Sequence, residues 1–115
     1  MKLISPKIHG YLDYVVVLMF LAAPFLLHFS TLPAVISYTL AGVHLTLTFL
    51  TNFPLGLLKV VAFKIHGFIE LAVGPCLIAL PFVLGLSVEA AVSAFYITCG
   101  IVILGVWALT DYKAA

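Results

Sequence analysis

Four apolar runs, each about as long as a bilayer core is thick, take up most of this chain. They cover about residues 8–29, 33–53, 65–86 and 89–110, close to the ~20 residues that a spanning helix needs at 1.5 Å per residue. Of the 115 residues 65% are apolar and only 8% are charged, whereas soluble domains run at roughly 45–50% apolar. A soluble fold this small has too little interior to hide such a surface, so lipid must act as its solvent. A closed β-barrel is the other way to span a membrane, and it needs polar residues at alternate positions. The run Val15-Val16-Val17-Leu18-Met19-Phe20-Leu21 has none. The sequence therefore predicts an all-α membrane protein with four transmembrane helices in a single domain, residues 1–115.

The few charges say how those helices start and point. Pro33 and Glu89 fall at or near first-turn positions, where a missing N–H and a negative charge are both tolerated. Lys2 and Lys7 precede the first run, Lys59 and Lys64 lie between the second and third, and Lys113 follows the fourth. All five lysines thus sit on one side, which predicts cytoplasmic termini. Trp107, Tyr112, Tyr11 and Tyr14 gather toward that same boundary, as an aromatic belt does. The first run is too long for a secretory signal, and no small-x-small cleavage site follows it. It is expected to be retained.

The chain also matches itself after a shift of 57 residues. Lys7-Ile8-His9-Gly10 falls on Lys64-Ile65-His66-Gly67, Asp13 on Glu70, and Ala22-Ala23-Pro24-Phe25 on Ala79-Leu80-Pro81-Phe82. After a small slip, Leu50-Thr51-Asn52-Phe53 falls on Leu109-Thr110-Asp111-Tyr112. Each unit is a two-helix hairpin, residues 2–58 and 59–115. Two spans return the chain to its starting side, so both copies point the same way. The expected arrangement is two parallel-oriented repeats related by a pseudo-twofold along the membrane normal.

These motifs resemble the SPW-repeat family of small bacterial membrane proteins, named for a Ser-Pro-Trp triplet late in the first helix of each repeat. Ala23-Pro24-Phe25 and Leu80-Pro81-Phe82 stand at the triplet positions, keeping the proline but neither serine nor tryptophan. Leu50-Thr51-Asn52-Phe53-Pro54-Leu55-Gly56 is similar to the family's link between repeats, and a histidine and a carboxylate four residues apart before each first helix fit as well. The resemblance covers nearly the whole chain. It implies a four-helix membrane protein and brings no established biochemical function.

Residues four apart share a helix face, so His9 projects with Asp13 and His66 with Glu70. Lys7 and Lys64 point away and can snorkel to headgroups. Should the first and third helices face each other, two imidazoles and two carboxylates would meet, a donor set for zinc, iron or manganese. Asn52 and Asp111 are candidates to support them from the same level. The plainer reading is that each pair neutralises itself within its helix, with Gly10 and Gly67 allowing close helix contact. Proton or substrate handling is a third.

His44 lies mid-helix with Ser37, Thr48 and Thr51 near its face, and its repeat counterpart is apolar, Val102 or Ile103. It reads either as a neutral imidazole hydrogen-bonded to a neighbouring helix, or as a cofactor contact such as an axial haem ligand or a quinone partner. It should lie about 10 Å deeper than His9, awkward for joint ligation of a haem. Pro24 and Pro81 should kink their helices near the outer end, with Pro75 beside Gly74 adding a break in the third. Broken helices also build transporter sites. His28 marks the outer boundary, and Cys76 and Cys99 read as small buried hydrophobes rather than a redox pair.

There is no phosphate loop, nucleophile elbow, HExxH or CxxC. A net charge of +1 and short loops exclude nucleic acid as a partner. The expected partners are the lipid bilayer and a second copy or another membrane protein. The leading expectation is a non-enzymatic structural or accessory protein acting through helix packing, with Gly42, Gly100 and Gly105 on its contact faces and no cofactor. One alternative is a redox protein holding a divalent metal or haem through His9, Asp13, His66 and Glu70. The other is a small oligomeric transporter relying on Asp13 or Glu70.

Overall fold

The computed structural model describes residues 2–114. Four helices carry the chain: α1 (Pro6–Leu26), α2 (Thr31–Leu50), α3 (Phe63–Val83) and α4 (Ala90–Leu109). Each is long and apolar enough to cross a membrane. Two short strands, β1 (Thr51–Asn52) and β2 (Val61–Ala62), lie between α2 and α3, and a 3-10 turn at Tyr112–Ala114 follows α4.

The ends of the helices follow from local chemistry. Ser5 caps α1, its Oγ accepting from the Ile8 N–H at 3.2 Å, and Pro6 takes the first position, where no N–H is needed. Pro24 and Pro81, expected to kink their helices, stand in the last turns of α1 and α3, and each helix ends two residues later. The Pro24 carbonyl then accepts from Phe29 N and the Pro81 carbonyl from Leu86 N, at 3.0 and 2.7 Å. Across the far end, Ser30 before α2 donates to Glu89 before α4 at 2.8 Å.

Pro24 lacks the N–H that would have bonded the Phe20 carbonyl one turn back. Ser37 of α2 supplies the donor instead, its hydroxyl 2.6 Å from that oxygen inside the bundle. This bond ties α1 to α2. The partner pair closes differently: Gly74 of α3 and Gly100 of α4 face each other, and a Cβ on Gly100 would stand 2.5 Å from the Gly74 carbonyl. Gly42 and Gly105, expected at contact faces, meet open space. Gly10 and Gly67 do not bring helices together either, since their missing side chains make room for Leu55 and Tyr112. Val16, Val17 and Phe20 of α1, Leu77 of α3 and Val92, Tyr96 and Ile103 of α4 form the apolar core with Ala41 of α2. The Tyr96 hydroxyl donates to the Pro33 carbonyl at 2.7 Å, so a buried polar tip is satisfied.

At the lysine end the backbone crosses between hairpins. Thr51 and Asn52 pair in parallel with Val61 and Ala62. Ile4 bridges Thr110 through Ile4 N to the Leu109 carbonyl and Asp111 N to the Ile4 carbonyl, both 2.9 Å. The starts of α1 and α3 are thereby fastened to the ends of α4 and α2. All five lysines are exposed in the segments flanking this end. Leu57, Leu58 and Val60 of the loop before β2 are exposed as well.

Candidate metal centre

The backbone crossing brings the first turns of α1 and α3 side by side, with the His9 and His66 rings 5.3 Å apart. One donor atom from each of His9, Asp13, His66 and Glu70 lies within 4.8 Å of the others, and all four residues are buried. His9 Nε2 stands 2.9 Å from Glu70 Oε1 and 3.3 Å from Asp13 Oδ1. His66 Nε2 stands 2.5 Å from Glu70 Oε1 and 3.2 Å from Asp13 Oδ2. Ligands ~2.0–2.2 Å from a tetrahedral metal are roughly 3.3–3.6 Å apart. The two Asp13 contacts fall near that spacing, while the two Glu70 contacts are shorter, at hydrogen-bond distance.

The other nitrogen of each imidazole determines what these atoms can do. His66 Nδ1 lies 2.7 Å from the Thr51 hydroxyl and His9 Nδ1 lies 2.8 Å from the Thr110 hydroxyl. Each hydroxyl donates its own proton to a carbonyl one turn back, Thr51 to Leu47 and Thr110 to Val106, both at 2.6 Å. The threonine oxygens can therefore only accept, so each Nδ1 carries the proton and donates. In the neutral rings this leaves the Nε2 lone pairs facing inward, toward carboxylate oxygens. Such a ring of acceptors is repulsive until a cation or protons enter it. A hydrogen bond on the far nitrogen is also how ligating histidines are usually held.

Aromatic rings close the cluster on the lysine side. Phe63 lies 5.1 Å from the His9 ring and 4.6 Å from the Tyr112 ring, and Phe53 lies 5.8 Å from His66. The Tyr112 hydroxyl donates to Glu70 Oε2 at 3.2 Å. Burial, with the charge of Glu70 beside it, pushes the Tyr112 phenol well above its usual range, so it stays a donor.

Two expected features are corrected. Asn52 is exposed, and Asp111 accepts from the Lys113 backbone at 3.1 Å, so neither supports the cluster. Thr51 and Thr110 are extended, at φ/ψ of −79/139° and −84/137°, and neighbouring side chains on extended backbone point to opposite sides. With the threonines inward, the next residues turn out. The sequence held the missed signal, since the shift that matches 50–53 to 109–112 sets Thr51 against Thr110. The second correction is His44, expected well away from the His9 level. Its Nε2 reaches to 3.4 Å from Asp13 Oδ1, because Asp13 lies one turn further in than His9. The stripe of Ser37, Thr48 and Thr51 is buried.

His28 is exposed. Cys76 is exposed and Cys99 buried, both as free thiols. No family model matches the chain, and no curated protein or solved structure is significantly similar to it.

Proposed function

We propose that the protein binds one divalent transition-metal ion inside the membrane through His9, Asp13, His66 and Glu70. One observation carries this reading: four buried residues each bring a donor atom within 4.8 Å of the others while both histidines have their outer nitrogens occupied by threonines. A divalent ion would neutralise the two carboxylates, and imidazole with carboxylate suits zinc, iron(II) or manganese(II). Sequence alone favours a packing role; the meeting of the two helix starts shifts the weight to metal binding.

Several finer features belong to the same proposal. A pseudo-twofold along the membrane normal would exchange His9–Thr110 with His66–Thr51 and the Ile4–Thr110 bridge with the Val61–Thr51 pair. The lysine end would face the cytoplasm across a bacterial inner membrane, with a second copy or another membrane protein as neighbour. SPW-repeat membership remains an inference from the short motifs.

A packing role has an observation of its own. Two imidazolium rings paired with two carboxylates would also be neutral, and the His9 Nε2 and His66 Nε2 contacts with Glu70 are at hydrogen-bond distance. Elemental analysis separates the two. Protein purified in mild detergent without chelator should carry about one metal per chain, lost in a His9→Ala, His66→Ala double variant that keeps its helix content. A wild type that stays metal-free after incubation with iron(II), zinc and manganese(II) would leave the pairs as structural.

A further inference from the structure

The lysine end carries a second feature, for which metal binding has no use. A cleft of about 380 Å³ opens between the start of α1 and the link that follows α2. Lys7 and Lys59 line it with Ser5 and Asn52, and Phe53 and Pro54 supply its apolar part. Among the described residues no carboxylate lines it. Every ion pair among them is a histidine–carboxylate contact around the buried cluster. Both lysines of the cleft therefore lack a counter-ion there.

Lys59 is held at the cleft against its own backbone preference. Its φ is 52°, a left-handed conformation that a residue with a Cβ adopts at a cost. Hydrogen bonds on either side fix it: Leu58 N donates to the Phe49 carbonyl at 3.0 Å and Val60 N to the Leu50 carbonyl at 2.8 Å. Glycine would fit this turn without strain, and strain retained at a long cationic side chain points to a use for that side chain. Asn52, which turns away from the histidines, comes to the cleft instead, where its amide offers two donors. The Ser5 oxygen accepts from Ile8 N, which leaves its own proton free to donate.

Two cations and two neutral donors around one cleft suit a phosphate diester. At roughly 30 Å³ per water, the space equals about twelve waters, enough for a phosphate with its glycerol. The surroundings decide the source. Leu57, Leu58 and Val60 flank Lys59 and are 68%, 68% and 70% exposed. Such residues beside a cation belong among acyl chains at a bilayer surface, and a free phosphate or an acidic peptide would leave them bare. A choline headgroup would bring a cation into a cleft that has two already and no acid. We propose that the cleft binds the headgroup phosphate of one anionic phospholipid, with Lys7 and Lys59 on its oxygens and its chains beside Leu57, Leu58 and Val60. The site is independent of the metal.

The test is native mass spectrometry of the protein in neutral detergent, titrated with phosphatidylglycerol or phosphatidylcholine of the same chain length. The first phosphatidylglycerol should bind at least about tenfold more tightly than phosphatidylcholine, and Lys7→Gln and Lys59→Gln should each lose about fivefold, the worth of one lysine at an anionic surface. Lys64→Gln, at the same end but outside the cleft, should leave binding nearly unchanged. Lys59→Gly relieves the strained turn, so it should be no less stable than wild type and still bind as weakly as Lys59→Gln, which separates lost binding from lost fold. Equal losses in Lys64→Gln and Lys7→Gln would overturn the proposal, since the attraction would then belong to the whole lysine end. So would a Lys59→Gly variant that binds like wild type, or phosphatidylcholine that binds as tightly as phosphatidylglycerol. Complete displacement of the lipid by excess inorganic phosphate would overturn it in favour of a free anion.

Discussion

The α3–α4 hairpin closes on backbone, whereas the α1–α2 hairpin closes on a side chain. In the former, Gly74 and Gly100 let the two main chains touch, and no polar side chain is needed. In the latter, Ser37 fills the gap that Pro24 leaves at the Phe20 carbonyl. The same contrast runs through matched positions: Tyr96 is buried and Tyr38 exposed, while His44 stands opposite the apolar Ile103. A hairpin closed on glycine has no room to spare. The one held by a hydrogen bond carries an additional histidine, His44, beside Asp13. The four clustered donors come two from each hairpin, and the common site forms where the two exchange their ends.

The contrast can be broken first at the glycines. A methyl at Gly100 must push Gly74 and Ile78 apart, so Gly100→Ala should cost about 1–3 kcal/mol, as overpacking does. Gly42 faces open space, so Gly42→Ala should be neutral or slightly stabilising, because alanine is the better helix former by up to ~1 kcal/mol. Unfolding in mixed detergent micelles measures both. Equal losses would mean that the hairpins close in the same way.

The shared site offers the next test. Thr51→Val and Thr110→Val each remove the acceptor that holds a histidine from the opposite hairpin, and lost outer partners typically weaken metal binding 10–100-fold. The two variants should be alike, since the two histidines are held alike. A loss confined to one of them, in a competition titration with a chromophoric chelator, would show that the site belongs to a single hairpin.

The smallest effect sharpens the account of α1 and α2. Ser37→Ala should cost about 1 kcal/mol by stranding the Phe20 carbonyl. In a Pro24→Ala background the restored backbone N–H can serve that carbonyl, and Ser37→Ala should then cost little. A double-mutant cycle with no coupling would detach the serine from the proline.

Much of this architecture is legible in the residues, because hydrophobic length is a strong signal for helices long and apolar enough to cross a membrane. The four helices lie within about three residues of the apolar runs; α1 and α3 stop short of theirs because a proline sits in each last turn. The i, i+4 spacing placed His9 with Asp13 and His66 with Glu70, but spacing within a helix cannot say which helices adjoin. That depends on the crossing of Ile4 with Thr110 and Thr51 with Val61, where two-residue pairings leave no periodic trace. The roles of Thr51 and Asn52 were exchanged for a related reason: whether a residue after a helix faces in or out depends on how the chain leaves it. His44 was placed by its backbone depth, whereas Asp13 and its own ring close the distance through side chains.

The most direct measurement of the central claim is X-ray absorption at the metal edge of iron- or zinc-loaded protein. A shell of nitrogen and oxygen at about 2.0–2.2 Å, with outer scattering from two imidazoles that vanishes in the His9→Ala, His66→Ala variant, is the predicted result. An all-oxygen shell, or a spectrum unchanged by removing both histidines, would contradict it.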